Sequence, residues 1–418
     1  MNNIIVKELS DSIQKYLYSN YAKEIEDARP KELYFALTNA LMEIIGKTWV
    51  NTKKFKSDEN IYILSFEYMP GKLLELYLHK LDIIEEAKKS ISKADVELKE
   101  LLDIEKEPAL GFGELGVGSS LMLEALTNEK IKTVAYAMKY ENGDMIQKII
   151  DNEQVEYPNL WGNKKILWQH KKGFNYYHDI FSRKVKAEVF DLPVLNNKKD
   201  FVNTLRMFSA KYLDLKHTLK DKIDYKNRFK DISLTEFLYV NIGEDSKKYR
   251  LAQEYFYACN CIEDIFRRHF KQRNKIEDFK DKNKIIVNEI HPTLSLIEFI
   301  NVLKTGYGYS IENSVDLAKE VFYHFSFQVS EDSYETYPIE MIKELNERLY
   351  FTIIELNEFL NKRQEAIIKE GNLIFRNVNL FLSRKYIFSS KIIRDYKQKN
   401  NKRKLDFSNI YRYKKIFF

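Results

Sequence analysis

The chain has 418 residues, 44% hydrophobic and 31% charged, which excludes a disordered polymer and gives enough apolar material for one large domain or two smaller ones. No apolar run reaches the roughly 18 residues of a membrane helix, and the start MNNIIVKELSD lacks the pattern of a secretory signal, so a cytoplasmic protein with no membrane partner is expected. The net charge of +6 is uneven, because residues 391–418 hold ten Lys or Arg against two Asp and leave the preceding 390 residues at about minus two.

Residues 1–55 carry apolar positions at helical spacing, such as Tyr34, Leu37, Leu41, Ile44 and Ile45, and predict a helical cap of two amphipathic helices. Ile61 to Phe66 is a short apolar run before Pro70–Gly71 and reads as a buried strand, then a turn and a helix. Glu67 at its end is either a ligand contact, as strand ends in open α/β sheets supply, or a cap on the next helix. Leu81 to Ile104 is helical in spacing. EPALGFGELGVGSSLMLEAL follows, with glycines at 111, 113, 116 and 118 before a helix expected to start near Ser119 or Ser120. Such a loop, with Gly111, Gly113, Leu115 and Gly116, is a candidate anion or sugar cradle, because free N–H groups and the positive dipole end point over it. Glu114 places a carboxylate in that cradle, where it repels an anion.

Strands are predicted around Val134 to Lys139, near Gln154 to Glu156, and in AEVFDLPVL and DFVNTLRMFSAK, so the alternation of strands and helices indicates an α/β sheet. From Ser246 a long amphipathic helix carries Cys259 and Cys261, whose spacing points them apart and predicts buried free thiols. Arg267 and Arg268 near its end suit the macrodipole. The strand KIIVNEIHP ends in Asn288, Glu289 and His291, a second candidate site in which His291 is either a ligand contact or a structural hydrogen-bonder. The seven histidines stand singly, and no His or Cys spacing suggests a metal site. A helix and a strand (Val321 to Phe327) follow, and then a long helix pair from Ile339 to Glu370. Basic and aromatic residues of the tail, including Lys402, Arg403, Lys404, Tyr411 and Tyr413, permit nucleic-acid contact, but a solvated or partner-covered terminus is the expected reading.

Eight collinear segments carry a family resemblance. ILSFEYMPGK, LGFGELGVGSS, AYAMKYENGDMIQKI, EQVEYPNLW, VNTLRMFSAK, RLAQEYFYACNCIEDIFRR, VNEIHPTLSLIEFINVL and NERLYFTIIELN resemble the N-terminal half of the glycogen, starch and maltodextrin phosphorylases. That resemblance implies the Rossmann-like N-terminal domain of a GT-B glycosyltransferase, over residues 56–390, with the helical cap before it and a basic tail at 391–418. It also implies an active site shared with a second, C-terminal domain that brings pyridoxal phosphate. No counterpart of that domain or its cofactor lysine motif occurs here, so no cofactor is expected.

The family-equivalent positions are Glu67, Gly113, Glu114, Asn288, Glu289, His291, Ser326 and Phe327. Several depart from the family pattern. Phe112 and Glu114 replace an Asn and a Gly of the glycine loop, Glu289 replaces an Asp, and Ser326 or Phe327 stands where the family has a sugar-contacting histidine, with His324 out of register. The expectation is a non-catalytic, phosphorylase-like protein that binds α-glucan or assembles as a homo-oligomer or with a dedicated partner. The alternatives are the N-terminal subunit of a split enzyme and a basic-tail adaptor for nucleic acid.

Overall fold

The computed structural model describes residues 2–143, 146–157, 159, 161, 166–212, 233–239, 245–325 and 335–385. Helices α1 (Asn2–Tyr21) and α2 (Pro30–Lys54) precede strand β1 (Asn60–Leu64), and α3 (Leu73–Leu81), α4 (Ile84–Ile91), α5 (Leu98–Ile104) and α6 (Gly113–Asn128) lead to β2 (Thr133–Met138). A hairpin of β3 (Ile146–Ile150) and β4 (Glu153–Tyr157) stands apart from three long strands, β5 (His170–Ile180), β6 (Arg183–Leu195) and β7 (Val202–Tyr212). Next come α7 (Ser246–Lys271), α8 (Phe279–Lys282), β8 (Asn283–Asn288), α9 (Leu294–Tyr307), α10 (Ile311–Val321) and β9 (Phe322–Phe325). The described chain closes with β10 (Thr336–Pro338), α11 (Ile339–Leu345), α12 (Glu347–Asn361), β11 (Ile368–Lys369), β12 (Asn372–Ile374), α13 (Phe375–Leu382) and β13 (Arg384–Lys385).

Eight strands form one sheet in the order β13-β9-β8-β1-β2-β7-β6-β5. It is parallel from β13 to β7 and antiparallel across β6 and β5. Side-chain alternation divides the core between its faces. Ile61 and Ile63 of β1 and Ala135 and Ala137 of β2 pack with the cluster under α1 to α6, while Tyr62, Leu64, Val134, Tyr136 and Met138 pack with the cluster under α7 and α9. A strand covered on both faces reads as a continuous apolar run, which is why β1 stands out in the sequence.

The two N-terminal helices follow local rules. Pro30 opens α2, and Glu32 reaches back to accept from the Arg29 backbone N–H at 2.9 Å, an arrangement that fixes the start of the helix. Trp49 ties α2 to the sheet by donating from Nε1 to Thr204 Oγ1 at 2.9 Å. Cys259 and Cys261 are buried free thiols, as their spacing implied. No helix among the described residues is long and apolar enough to cross a membrane.

Several boundaries differ from the sequence reading. α6 starts at Gly113 and not near Ser119 or Ser120, because its glycines permit close packing rather than a long loop. A Cβ at Gly111 would lie 2.5 Å from Glu67 Cβ, and one at Gly116 would lie 2.7 Å from Met69 Cγ. The helix pair expected over 339–370 is shorter, since Asn346 breaks it and its side chain caps α12 by accepting from Leu349 N–H at 3.0 Å. β5 was not legible, because an edge strand with mostly exposed or half-exposed polar positions has no apolar periodicity. Ser326, Phe327 and the basic tail at 391–418 lie outside the described residues.

Candidate functional site

β1 is the centre of the parallel sheet, with β2 on one side and β8 on the other. The chain crosses from one side to the other here, and such a switch point leaves a crevice beyond the carboxyl ends of the strands. The first segment on that edge is Ser65 to Met69. Glu67 is buried there, 2% exposed, and does not cap α3, whose N-cap is Lys72. Its Oε2 accepts from the Phe112 backbone N–H at 2.7 Å, and its Oε1 accepts from the Tyr239 hydroxyl at 2.5 Å. The Phe112 ring stacks on the Tyr239 ring at 6.0 Å between centroids. Burial, followed by the Glu67 carboxylate, raises the pKa of the Tyr239 phenol.

The glycine stretch therefore does hold an anion, but the anion is the chain's own. The N–H just ahead of α6 is taken by Glu67, and backbone pairing of Tyr68 with Leu110 and of Met69 with Gly116 closes the segment onto the helix. Met69 N–H also donates to Ser120 Oγ at 2.8 Å. Glu114 lies in the first turn of α6 and is exposed, so water screens it and its influence over the loop is weaker than a buried carboxylate's. Asn288, at the end of β8, donates to Ser119 Oγ at 2.9 Å and stitches that strand to α6.

The second segment follows β8. Glu289 adopts a left-handed φ of +67° and donates its N–H to Phe325 O at 2.8 Å, which turns the chain into the His291–Thr293 helical turn. His291 packs its ring on Phe66 at 5.3 Å and edge-on to Tyr239 at 6.3 Å. Its Nδ1 lies 3.3 Å from Glu254 Oε1 and 3.4 Å from Glu335 Oε1. Burial, then the Glu335 carboxylate, pushes the pKa of Glu254 well above the usual carboxylate range. Burial also opposes ionisation of Glu335, but hydrogen bonds from Glu254 and His291 outweigh it and bring its pKa down to about 2. Arg250 completes the group, its guanidinium 4.7 Å from the Tyr239 ring centroid.

The structure thus brings Glu67, the glycine loop, Asn288, Glu289 and His291 to one edge of the sheet. Sequence reasoning missed Tyr239, Arg250, Glu254 and Glu335. Glu254, His291 and Glu335 also offer donor atoms within 4.8 Å of one another. Separations of 37 and 44 residues hide such a set from any reading based on spacing.

A further polar centre sits away from that edge. Asp264 of α7 is fully buried and accepts from Arg206 Nη1 at 2.6 Å, Arg267 Nη2 at 2.7 Å and Arg268 Nε at 2.6 Å, with Tyr136 and Tyr176 hydroxyls at 2.8 and 2.6 Å. Arg206 also pairs bidentately with Asp191 at 2.7 and 2.8 Å. Burial opposes the Asp264 charge, yet the three guanidinium groups hold its pKa far below the ordinary range. Arg267 and Arg268 were read as macrodipole partners, but their close contacts are with this aspartate. The signal was the Asp-to-Arg spacing of three and four residues on one helix.

A mainly parallel sheet with helices on both faces, and polar side chains gathered past the central strand ends, defines an α/β protein of the doubly wound class. The chain belongs to the carbohydrate phosphorylase family, whose sequence profile matches residues 91–387. It is similar to the glycogen phosphorylase of Pasteurella multocida, 27% identical over 402 residues that cover 90% of this chain and 49% of that protein. It is also similar to the brain form of human glycogen phosphorylase, 27% identical over 84% of this chain and 46% of that protein, and to the maltodextrin phosphorylase of Streptococcus pneumoniae, 25% identical over 86% and 46%. The chain spans about half the length of the curated relatives it matches.

Proposed function

We propose that this chain is a phosphorylase-like protein without phosphorolytic activity, which keeps the N-terminal α/β half of a GT-B architecture for binding α-glucan or assembling with a partner. The observation that carries the reading is the occupancy of Glu67. Both of its oxygens accept hydrogen bonds from the chain itself, and the two residues that donate them stack their rings on each other. A reacting sugar would have to displace Tyr239 and leave a buried carboxylate short of a donor, which costs about 1–3 kcal/mol. Tyr239 is 53% exposed and offers aromatic surface beside polar groups, which suits a sugar ring.

Pyridoxal phosphate needs a lysine amine for its Schiff base and donors for its phosphate. The group formed by Glu67, Tyr239, Arg250, Glu254, His291 and Glu335 contains no lysine and three carboxyl groups, so it does not fit that cofactor. The purified chain is expected to lack the cofactor's near-ultraviolet absorbance and to be retarded by glycogen in affinity electrophoresis. Unretarded migration would remove glucan from the proposal and leave assembly with a partner.

A second reading, an N-terminal subunit completed by a separate cofactor-bearing polypeptide, is favoured by one fact, the match to about half of each relative. It predicts co-purification of that polypeptide and formation of glucose-1-phosphate by the pair.

A further inference from the structure

We propose that Glu254, His291 and Glu335 form a binding site for one divalent transition-metal ion of the zinc type. The three residues come from separate elements, the middle of α7, the turn after β8 and the residue leading into β10, so an ion between them would tie these elements together. His291 Nδ1 stands 3.3 Å from Glu254 Oε1 and 3.4 Å from Glu335 Oε1. A tetrahedral zinc ion with bonds of about 2.0–2.1 Å separates its ligand atoms by about 3.3–3.4 Å. The apo geometry already has that spacing on both edges that meet at the histidine.

An independent observation points to a missing ligand. Glu254 is 0% exposed, yet its Oε2 has no hydrogen-bond partner among the described residues, and the buried Glu335 Oε2 has none either. A fully buried carboxyl with an open oxygen, beside a second, half-buried carboxyl and one imidazole nitrogen, is a donor set in want of a cation. Arg250 supplies one positive charge nearby, but its guanidinium lies over the Tyr239 and Phe66 rings at 4.7 and 5.8 Å. An ion bound there takes the place of any proton that the two carboxyl groups share, so both can meet its charge. The histidine ligand argues against calcium and magnesium, which take oxygen ligands, and for a zinc-type ion. Exposure rises from Glu254 at 0% to His291 at 13% and Glu335 at 25%.

The metal-free alternative is a carboxyl–carboxylate pair that shares a proton beside His291. Titration of the chelator-treated, full-length protein with Co²⁺ distinguishes the two. The expected result is one equivalent of Co²⁺ bound with release of at least one proton and with visible d–d absorption stronger than that of the aqueous ion, which one equivalent of Zn²⁺ then abolishes by displacement. Glu335→Gln and His291→Gln should each weaken binding at least tenfold while circular dichroism shows both variants folded. If one variant is unfolded, the other decides. Absence of the Co²⁺ band, or equal binding by wild type and a folded variant, would overturn the proposal.

Discussion

Glu67 and Asp264 are both buried carboxylates in one chain, and they are held in opposite ways. Asp264 meets three guanidinium groups and two phenols, so its charge is fully compensated where it stands. Glu67 meets one backbone N–H and one phenol from a neighbouring segment, both neutral donors. The first arrangement fixes α7 to the sheet and is costly to open. The second can be opened by moving one tyrosine. A clamp and a cover can therefore be told apart by the charge and origin of their donors, although both satisfy a buried acid.

Breaking the clamp should produce the largest effect. Asp264→Ala strands the partly buried Arg267 and Arg268 and leaves Arg206 with Asp191 alone, and unfolding in urea should register a loss of about 3–5 kcal/mol. Next is the backbone that seats the cover. Gly111→Ala drives a methyl into Glu67 Cβ and the Tyr68 backbone, and about 1–3 kcal/mol of stability should be lost in the same assay.

A pH prediction concerns the strand beside the clamp. Burial lowers the His178 pKa to about 4, against an ordinary value of 6.5, while its Nε2 stays 3.0 Å from Asn260 Oδ1. The unfolded chain takes up the proton first. The contribution of His178 is therefore complete above pH 6.5 and lost as pH falls from 6.5 to about 4, with an amplitude of about 1–3 kcal/mol. The pKa of Glu263, 3.8 Å away, is raised, so it works in the opposite sense. Comparison of wild type with His178→Asn across that window isolates the histidine.

The cover itself should be cheaper to remove. Tyr239→Phe deletes one donor to the buried Glu67 and should cost about 1–3 kcal/mol. Glu114→Gln, at an exposed first-turn position, should change stability by less than about 0.5 kcal/mol in thermal unfolding. A larger change would mean that Glu114 acts on the loop as the sequence first suggested.

The same contrast explains what was legible in the sequence. β1, β2 and β8 were readable because strands covered on both faces are continuous apolar runs, and α7 was readable from its length and amphipathic period. Glu67 and His291 were singled out because they follow such strands. Their partners were not, since Tyr239 lies 172 residues from Glu67 and Glu335 lies beyond two further helices. The glycines misled in a specific way. Four in eight residues imply a loop, yet at Gly111 and Gly116 the demand is for space against Glu67 and Met69. The Asp264 centre was half visible, because spacing on α7 pairs it with Arg267 and Arg268 while Arg206 arrives from β7.

The most direct measurement is phosphorolysis of glycogen by the purified full-length chain with inorganic phosphate and added pyridoxal phosphate. No glucose-1-phosphate above the protein-free background is predicted for the wild type or for Tyr239→Phe. Sustained glucose-1-phosphate formation by the chain alone would contradict the account.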